Sequence, residues 1–320
     1  FDEMISPERL FEAWYEFRRG KGGRRDVQEF GRHAEKHIFR LHRDLASGAY
    51  QHSPYESFFV HDPKRRHIRK ACVRDRLVHH TLHMTLRQIY EPRLYSGVYS
   101  NRIGKGTHRA VDALQRAIWK VSKNLTRPCW ALKCDIKRFY DSVDHEILKE
   151  TLAKVIHDER ALHLLGHVID SFHVEGFVGK GAPIGNLTSQ IFTNIYLNDF
   201  DQYVKHTLRV RHYLRFADDC LFLAPHRQEL EELLPRIEEF LALRLKLALH
   251  RDKDLDHLQH ASRQLVALGQ LLALFFESQV EAVAGLLQRV LDRFQLVGQI
   301  AVFRTDVEPV ELVHGRQISL

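Results

Sequence analysis

The side chains best suited to chemistry are three aspartates, of which Asp218 and Asp219 are adjacent. This pair lies between an apolar run that ends at Phe216 and another that begins at Cys220. Strand-forming runs around a polar dipeptide predict two short strands joined by a two-residue acidic turn. A solvent-exposed turn would explain the pair without any function. A buried turn would need a counterion, and hard divalent cations prefer oxygen ligands.

The third aspartate favours the metal-binding interpretation. Asp135 stands near the end of an apolar run, residues 130–136, which predicts a buried strand, and Phe139 and Tyr140 follow it. Asp135 and Asp218 could then hold two metal ions about 4 Å apart. The sequence therefore predicts a two-metal centre on a small sheet.

Residues 55–70 predict a basic hairpin. Strand-like runs lie on either side of Pro63 and Lys64, which predict the turn. Five cations lie on or beside this hairpin: Lys64, Arg65, Arg66, Arg69 and Lys70. Arginine offers forked donors and lysine a point charge, so the hairpin is suited to clamp a triphosphate. A solvated hairpin tip would explain the same charges.

Two glycine-containing loops each lead into a predicted helix. Residues 176–186 are rich in glycine, which would let the backbone approach a ligand closely, and Gln190 lies near the start of the next helix. Residues 99–108 include a Gly-Lys-Gly-Thr stretch, but the glycine that opens a Walker-type phosphate loop is absent, so we exclude that site. A basic loop at a helix N-terminus can still hold a backbone phosphate.

The charge distribution suits a polyanionic partner. The chain of 320 residues has a formal net charge of +7, and residues 1–110 carry 22 Lys and Arg against 13 Asp and Glu. A solvated basic surface is the alternative explanation. The sequence contains no uncharged apolar run of about 18 residues, which argues against a membrane span. Four cysteines without metal-ligand spacing favour a cytoplasmic protein with reduced thiols.

Helical periodicity is visible at both ends of the chain. Ser6-Pro7 predicts a helix start, and a second helix is expected over about residues 26–46. The amphipathic segment 229–249 contains Pro235, which should kink it or divide it into two helices. Residues 280–294 predict another helix.

In their order along the chain, these motifs resemble those of reverse transcriptases. Asp135 with Phe139 and Tyr140 resembles the first palm motif of that family. Residues 216–219 (Phe-Ala-Asp-Asp) resemble its aromatic-x-Asp-Asp turn, although tyrosine is usual at the first position. Residues 181–190 resemble the helix-entry motif between the two.

The resemblance covers about residues 55–270 and points to the group II intron-like branch of bacterial and phage enzymes. The basic hairpin with Lys64 and Arg66 resembles the finger motifs of that branch, as do residues 75–78 and 102–108. The primer-grip region after the palm is matched only loosely. The chain from Leu271 onward resembles no thumb of the family.

One motif narrows the resemblance to a subfamily. Residues 184–190 (Ile-Gly-Asn-Leu-Thr-Ser-Gln) resemble the Gly-x-x-x-Ser-Gln form of diversity-generating retroelement reverse transcriptases. Intron-encoded relatives instead have Gln-Gly at the start of this motif and Pro after its Ser. The subfamily copies a template repeat into mutagenised cDNA, often with errors opposite template adenines. Standalone bacterial reverse transcriptases of phage defence share parts of the pattern.

The resemblance implies an RNA-directed DNA polymerase that works by two-metal nucleotidyl transfer. The implied catalytic residues are Asp135, Asp218 and Asp219, and the implied metal-binding residues are these three with Ile136. The cofactor would be two Mg²⁺ ions, with Mn²⁺ as the other candidate. One ion would activate a 3′-hydroxyl and the other would steady the leaving pyrophosphate.

The implied substrate-binding residues are Lys64, Arg66, Arg102, Phe139, Tyr140 and Gln190. Tyr140 resembles the steric gate, whose ring would occupy the space of a ribonucleotide 2′-hydroxyl. Lys64 and Arg66 resemble the finger contacts to the incoming triphosphate. Gln190 resembles a residue near the templating pair that bears on fidelity, and Arg102 would touch template or phosphate.

The implied fold is α+β, a right-hand polymerase. Residues 1–130 would form the fingers, with the hairpin 55–70, and residues 131–250 the palm, a small antiparallel sheet backed by helices. Residues 251–320 would form a short helical thumb. The implied partners are a template RNA and RNA/DNA duplex, dNTPs, and a small helical-bundle accessory protein, single or oligomeric. A catalytically silent RNA-binding scaffold and an RNA-dependent RNA polymerase are the alternatives, and the bulky Tyr140 disfavours the second.

Overall fold

Helices alternate with two small antiparallel sheets. The computed structural model describes residues 1–61, 65–124, 126–250 and 259–260, which fall within the unit Phe1–Ser278. The helices are α1 (Asp2–Ile5), α2 (Pro7–Arg18), α3 (Arg25–Gly31), α4 (Ala34–Ala46), α5 (Val73–Tyr90), α6 (Thr107–Val121), α7 (Phe139–Ser142), α8 (His145–Ala153), α9 (Glu159–Asp170), α10 (Leu187–Tyr196), α11 (Asn198–Gln202), a π-helical segment (Tyr203–Thr207) and α12 (Arg227–Leu245). The strands are β1 (Glu56–His61), β2 (Arg65–Lys70), β3 (Trp130–Asp135), β4 (His212–Phe216), β5 (Asp219–Ala224) and β6 (Gln259–His260).

The N-terminal helices show one success and one error of the sequence-based prediction. Helix α2 begins as predicted, because the Ser6 hydroxyl accepts a hydrogen bond from the Arg9 amide at 3.2 Å. The single helix expected over residues 26–46 is wrong, since α3 ends at Gly31 and α4 begins at Ala34. Glycine is a poor helix former, and His33 has non-helical dihedrals (φ −132°, ψ 34°). Both pieces bury their apolar faces in the common core.

The larger sheet has the strand order β4-β5-β3-β6, with antiparallel neighbours. Its inner face carries Leu132, Cys134, Cys220 and Phe222, all buried in the main core. Because side chains alternate between the faces of a strand, Lys133 and Asp135 must lie on the opposite face. The acids therefore lie on the face opposite the main core, at the end of a surface on which Ala131, Leu221 and Leu223 are buried as well.

The predicted basic hairpin is confirmed as the antiparallel pair β1–β2. Its turn residues, 62–64, and with them Lys64, lie outside the described residues. A two-stranded hairpin is marginally stable alone, and every residue of β1 is exposed. Hydrogen bonds to a neighbouring loop hold it: the Arg69 amide donates to the Ile184 carbonyl at 2.9 Å, and Asn186 Nδ2 donates to the Arg69 carbonyl at 2.7 Å.

Helix α12 is continuous through Pro235, so the proline does not divide it into two helices. Pro235 is exposed at the helix surface, whereas Leu230, Ile237 and Leu241 are buried. Burial of that apolar face outweighs the proline penalty of about 3 kcal/mol.

The predicted α+β class with a small antiparallel sheet is confirmed. The division into fingers, palm and thumb stays a prediction, and the helix expected at 280–294 lies outside the described residues. Within the described ranges, no helix combines the length and hydrophobicity that crossing a membrane requires.

Candidate active site

An open cleft of about 310 Å³ lies where β3 ends and β5 begins. The three aspartates singled out from the sequence, Asp135, Asp218 and Asp219, all line it. The sheet brings them together because Asp135 lies directly opposite Asp219 in the β3–β5 register. The predicted convergence of the distant acid with the adjacent pair is therefore observed.

The turn between β4 and β5 differs from the sequence-based prediction. Phe216 pairs with Asp219, so the two-residue turn is Ala217-Asp218, and Asp219 is the first residue of β5. The acidic pair is thus split between a turn and a strand, because the register with β3 extends to Asp135–Asp219. Ala217 adopts φ 56°, in the left-handed region that a two-residue hairpin turn most easily fills with glycine.

Burial and the repulsion of neighbouring carboxylates raise the pKa values of Asp218 and Asp219. Burial, assisted by the charge of Asp135, raises the pKa of Asp218. Burial also raises the pKa of Asp219 to about 7, against the opposing attraction of Lys133. The Lys133 ammonium lies 3.3 Å from Asp219 Oδ1. A cation bound between clustered, partly desolvated carboxylates of this kind relieves their mutual repulsion and offsets their lost hydration.

We expect Asp219→Asn to stabilise the metal-free protein at pH 8. The folded Asp219 has a pKa near 7 and the unfolded one near about 3.9, so between these values the folded state binds more protons. Folding stability therefore falls as the pH rises through this range, and the full penalty is present above it. The asparagine variant should unfold at a higher temperature than wild type at pH 8 and near the wild-type temperature below pH 4.

Thermal unfolding in EDTA at several pH values tests this expectation. Asp141→Asn is the matched control, because Asp141 lines the same cleft but is exposed. If the unfolding temperature of Asp219→Asn depends on pH as that of the wild type does, the raised pKa of Asp219 is contradicted.

Tyr140 lines the cleft, and Phe139 packs against its ring. Tyr140 is half-buried, its pKa is raised by that burial, and the Thr193 side chain lies near its hydroxyl. Phe139 also borders the cleft, but it is only 2% exposed and packs edge-on against Tyr140 with ring centroids 5.6 Å apart. Substrate contact by Phe139 stays a prediction, and its observed role is to support the Tyr140 ring.

Of the other predicted substrate-binding residues that the structure describes, Arg66 lines the cleft, and Arg102 and Gln190 do not. Arg66, on the exposed hairpin, lines the cleft, so the structure brings a cation from β2 to the acids. Arg102 is not among the lining residues, and its guanidinium binds Glu91 Oε1 at 2.8 Å and the Tyr95 carbonyl at 2.7 Å. Gln190 is exposed in the first turns of α10 and does not line the cleft. Contacts of Arg102 and Gln190 with substrate stay predictions.

The glycine-rich loop packs against the protein at Gly185. Gly185 has φ 108°, and a Cβ there would lie 2.7 Å from Ile68 Cγ2 of the hairpin. The close approach that the sequence assigned to a ligand is, at this glycine, an approach to β2. Gly185 therefore lets the loop dock the hairpin that carries Arg66.

We expect Gly185→Ala to destabilise the fold by about 1–3 kcal/mol, because it adds both backbone strain and a clash. Gly179→Ala is the matched control, since Gly179 also has a positive φ (78°) but nothing lies within 4 Å of an added Cβ. Chemical denaturation should show the larger loss at Gly185. Shortening Ile68 to Ala in the Gly185→Ala background should recover part of it. Equal losses at the two glycines would contradict the docking role.

The donor set fits Mg²⁺ in chemical type. All three acids offer carboxylate oxygens, which Mg²⁺ prefers, and Mg²⁺ is usually held by one or two carboxylates with substrate phosphates and water. Ile136 is buried and its side chain is apolar, so only its backbone carbonyl could serve as a ligand. Within the described residues, no three His, Cys, Asp or Glu side chains are already arranged around a common metal position. Asp135 and Asp218 are the residues that would hold the ions, together with a phosphate-bearing substrate.

Four residues that sequence reasoning did not single out also border the cleft: Lys133, Arg138, Asp141 and His250. Lys133 was detectable, because a residue two positions before Asp135 in a strand shares its face. His250 reaches the site through a tertiary contact, in which its amide donates to the Asp135 carbonyl at 3.0 Å. No local sequence signal reports that contact.

The comparisons with known proteins agree with this geometry. The family model described as "Reverse transcriptase (RNA-dependent DNA polymerase)" matches residues 61–265. Protein YkfC of Escherichia coli (strain K12) is 28% identical over 170 residues, which are 51% of this chain and 44% of that protein. Group II intron-encoded protein LtrA of Lactococcus lactis subsp. cremoris is 23% identical over 178 residues, which are 53% of this chain and 28% of that protein. The chain thus spans less than half the length of these relatives.

Two solved structures show a weaker likeness. Apo telomerase from Candida Tropicalis, truncated from its C-terminal domain, is 14% identical, with 66% of this chain and 53% of that chain covered and a TM-score of 0.46. Telomerase from Candida albicans in complex with a TWJ fragment of telomeric RNA is 12% identical, with 68% and 46% covered and a TM-score of 0.47. Likeness at this level carries no argument about function.

Proposed function

This chain belongs to the reverse transcriptase (RNA-dependent DNA polymerase) family, and from that premise we propose that it copies an RNA template into DNA by two-metal nucleotidyl transfer. One observation carries the proposal: the register of the sheet sets Asp135 opposite Asp219 and places Asp218 in the adjoining turn. Asp135 and the adjacent pair Asp218-Asp219, from two distant parts of the sequence, then share one cleft.

Six cleft residues have a role in this proposal. Asp135 and Asp218 hold the divalent ions, which when bound activate the primer 3′-hydroxyl and neutralise the leaving pyrophosphate. Asp219 adds negative charge to the centre, and Lys133 balances it. Arg66 binds the triphosphate from the hairpin side, and the Tyr140 ring excludes a ribose 2′-hydroxyl.

The finer assignment is to a diversity-generating retroelement, in which error-prone cDNA is made for mutagenic retrohoming. The Ile-Gly-Asn-Leu-Thr-Ser-Gln motif at residues 184–190 supports it. A template RNA with its RNA/DNA duplex, dNTPs and a small helical-bundle accessory protein belong to this assignment. LtrA is by name an intron-encoded protein, which makes an intron-like reverse transcriptase the second candidate.

Primer extension on an RNA template with dNTPs and Mg²⁺ tests the proposal, with and without a co-expressed accessory protein. Sequencing of the cDNA separates the candidates. Errors concentrated at template adenines would support the retroelement assignment, whereas faithful extension would favour the intron-like or another standalone reverse transcriptase. No extension under any condition, from protein that still binds RNA, would favour a catalytically silent scaffold.

A further inference from the structure

Arg215 is a fully buried cation close to the acidic turn. It is the second-last residue of β4, and its relative exposure is 0%. Its fork binds Asp201, also 0% exposed, through Nε–Oδ1 at 2.8 Å and Nη2–Oδ2 at 2.6 Å. The Tyr213 hydroxyl donates to the same Asp201 Oδ1 at 2.7 Å. A bidentate pair with these added bonds is strongly directional, so the guanidinium has one orientation.

The remaining nitrogen of the fork reaches the turn. Arg215 Nη1 donates to the Ala217 carbonyl at 2.8 Å and to Asn194 Oδ1 at 3.2 Å. The Ala217 carbonyl belongs to the peptide group that joins Ala217 to Asp218. The orientation of that peptide sets the direction from which the Asp218 side chain leaves the backbone.

The turn needs this support because of its backbone conformation. Ala217 has φ 56°, which residues with a Cβ adopt at a cost and glycine adopts freely. A hydrogen bond from a charged donor is stronger than a neutral one and can offset that cost. Without it, the peptide group after Ala217 would be free to relax.

Arg215 and its partner Asn194 are themselves held by hydrogen bonds to neighbouring segments. Asn194 Nδ2 donates to the Ser100 carbonyl at 3.0 Å, which ties α10 to the loop that contains Ser100. The Arg215 amide donates to the Gly97 carbonyl at 3.0 Å, and its carbonyl accepts from the Tyr99 amide at 2.9 Å. These bonds fix both the backbone of Arg215 and one partner of its guanidinium before any substrate arrives.

We propose that Arg215 is a positioning residue for the metal centre: pinned by Asp201, it holds the Ala217 carbonyl and thereby presents Asp218 to the cleft. Its consequence for catalysis rests on the proposed polymerase function. The positioning itself is a property of the protein alone and can be measured without turnover.

The test removes the anchor without leaving an unpaired buried charge. The double change Arg215→Met with Asp201→Asn removes both charges together, and such replacements often preserve the fold. The amide oxygen introduced at position 201 can still accept the bond from the Tyr213 hydroxyl. Near-UV circular dichroism checks that the variant is folded, and Arg215→Lys provides a second variant that keeps the charge but loses the planar fork.

Two measurements report on the turn. Hydrogen–deuterium exchange in the segment 215–220 should accelerate at least about tenfold in the double variant, and binding of Mn²⁺ alone, followed by water proton relaxation, should weaken by a similar factor. Adding Ala217→Gly should recover part of both effects, because glycine adopts a positive φ without the anchor. Arg9→Lys is the control, since Arg9 has 14% side-chain exposure and pairs with Glu12 on α2.

Unchanged hydrogen–deuterium exchange at the turn in a folded double variant would overturn the proposal. Faster exchange and weaker Mn²⁺ binding that Ala217→Gly does not reduce would also overturn it. The proposed function is judged separately by primer extension of the wild type. If the wild type extends no primer but the double variant shows the expected faster exchange at the turn, the polymerase assignment is wrong and the positioning role of Arg215 is retained.

Discussion

Replacing Asp218 with asparagine is expected to reduce primer extension by roughly 10³–10⁶-fold, the range seen when an essential catalytic group is removed. Asp218 occupies the turn at the end of the sheet and would share the divalent ions with Asp135. An amide is neutral and a poorer ligand for Mg²⁺ than a carboxylate, so both the position and the charge of the ions would suffer. Single-turnover extension with saturating dNTP and Mg²⁺ measures this loss.

The same variant should fold well, which separates a loss of chemistry from a loss of structure. Burial and the charge of Asp135 raise the pKa of Asp218, so removal of that carboxylate relieves repulsion in the metal-free protein. Asp141→Asn is the control, because this exposed acid lines the same cleft and is expected to retain near wild-type activity. Filter binding should show unchanged affinity for RNA. Near wild-type extension by Asp218→Asn would rule out the two-metal assignment.

Replacing Tyr140 with alanine is expected to lower the discrimination between dNTPs and rNTPs by roughly 100-fold, a size typical of steric rejection in a pocket. The Tyr140 ring lines the cleft and is held edge-on by the buried Phe139, so it cannot easily move aside. Without it, a 2′-hydroxyl would find room. The ratio of kcat/KM values for each dNTP and its ribonucleotide measures the change.

Tyr140→Phe distinguishes the ring from its hydroxyl. The phenyl ring preserves the bulk and loses only the hydroxyl near the Thr193 side chain, so discrimination should stay close to wild type. Selectivity lost equally in both variants would assign the effect to the hydroxyl and contradict the gate. A wild type that already incorporates ribonucleotides freely would do the same.

Much of the site was accessible from the sequence because strand periodicity is local. An apolar run ending in an acid, and an acidic pair between two apolar runs, predicted the strands that meet in the sheet. The basic hairpin could be predicted equally well, since its turn signal and its cations are adjacent in sequence. The chemistry of three carboxylates near cationic side chains followed from residue types alone, and the order of the motifs supplied the resemblance to a family.

The tertiary structure decided the details that depend on register and on buried contacts. Because Asp219 pairs with Asp135, it belongs to β5 and not to the turn. The turn therefore includes Ala217, which has a positive φ. Packing against Ile68 gave Gly185 a docking role, and the Arg215–Asp201 pair formed between elements that share no local pattern. Sequence patterns encode which face a residue occupies, because backbone geometry repeats every few residues. They do not encode which distant partner completes a buried hydrogen bond, because that choice is made by the packing of the whole core.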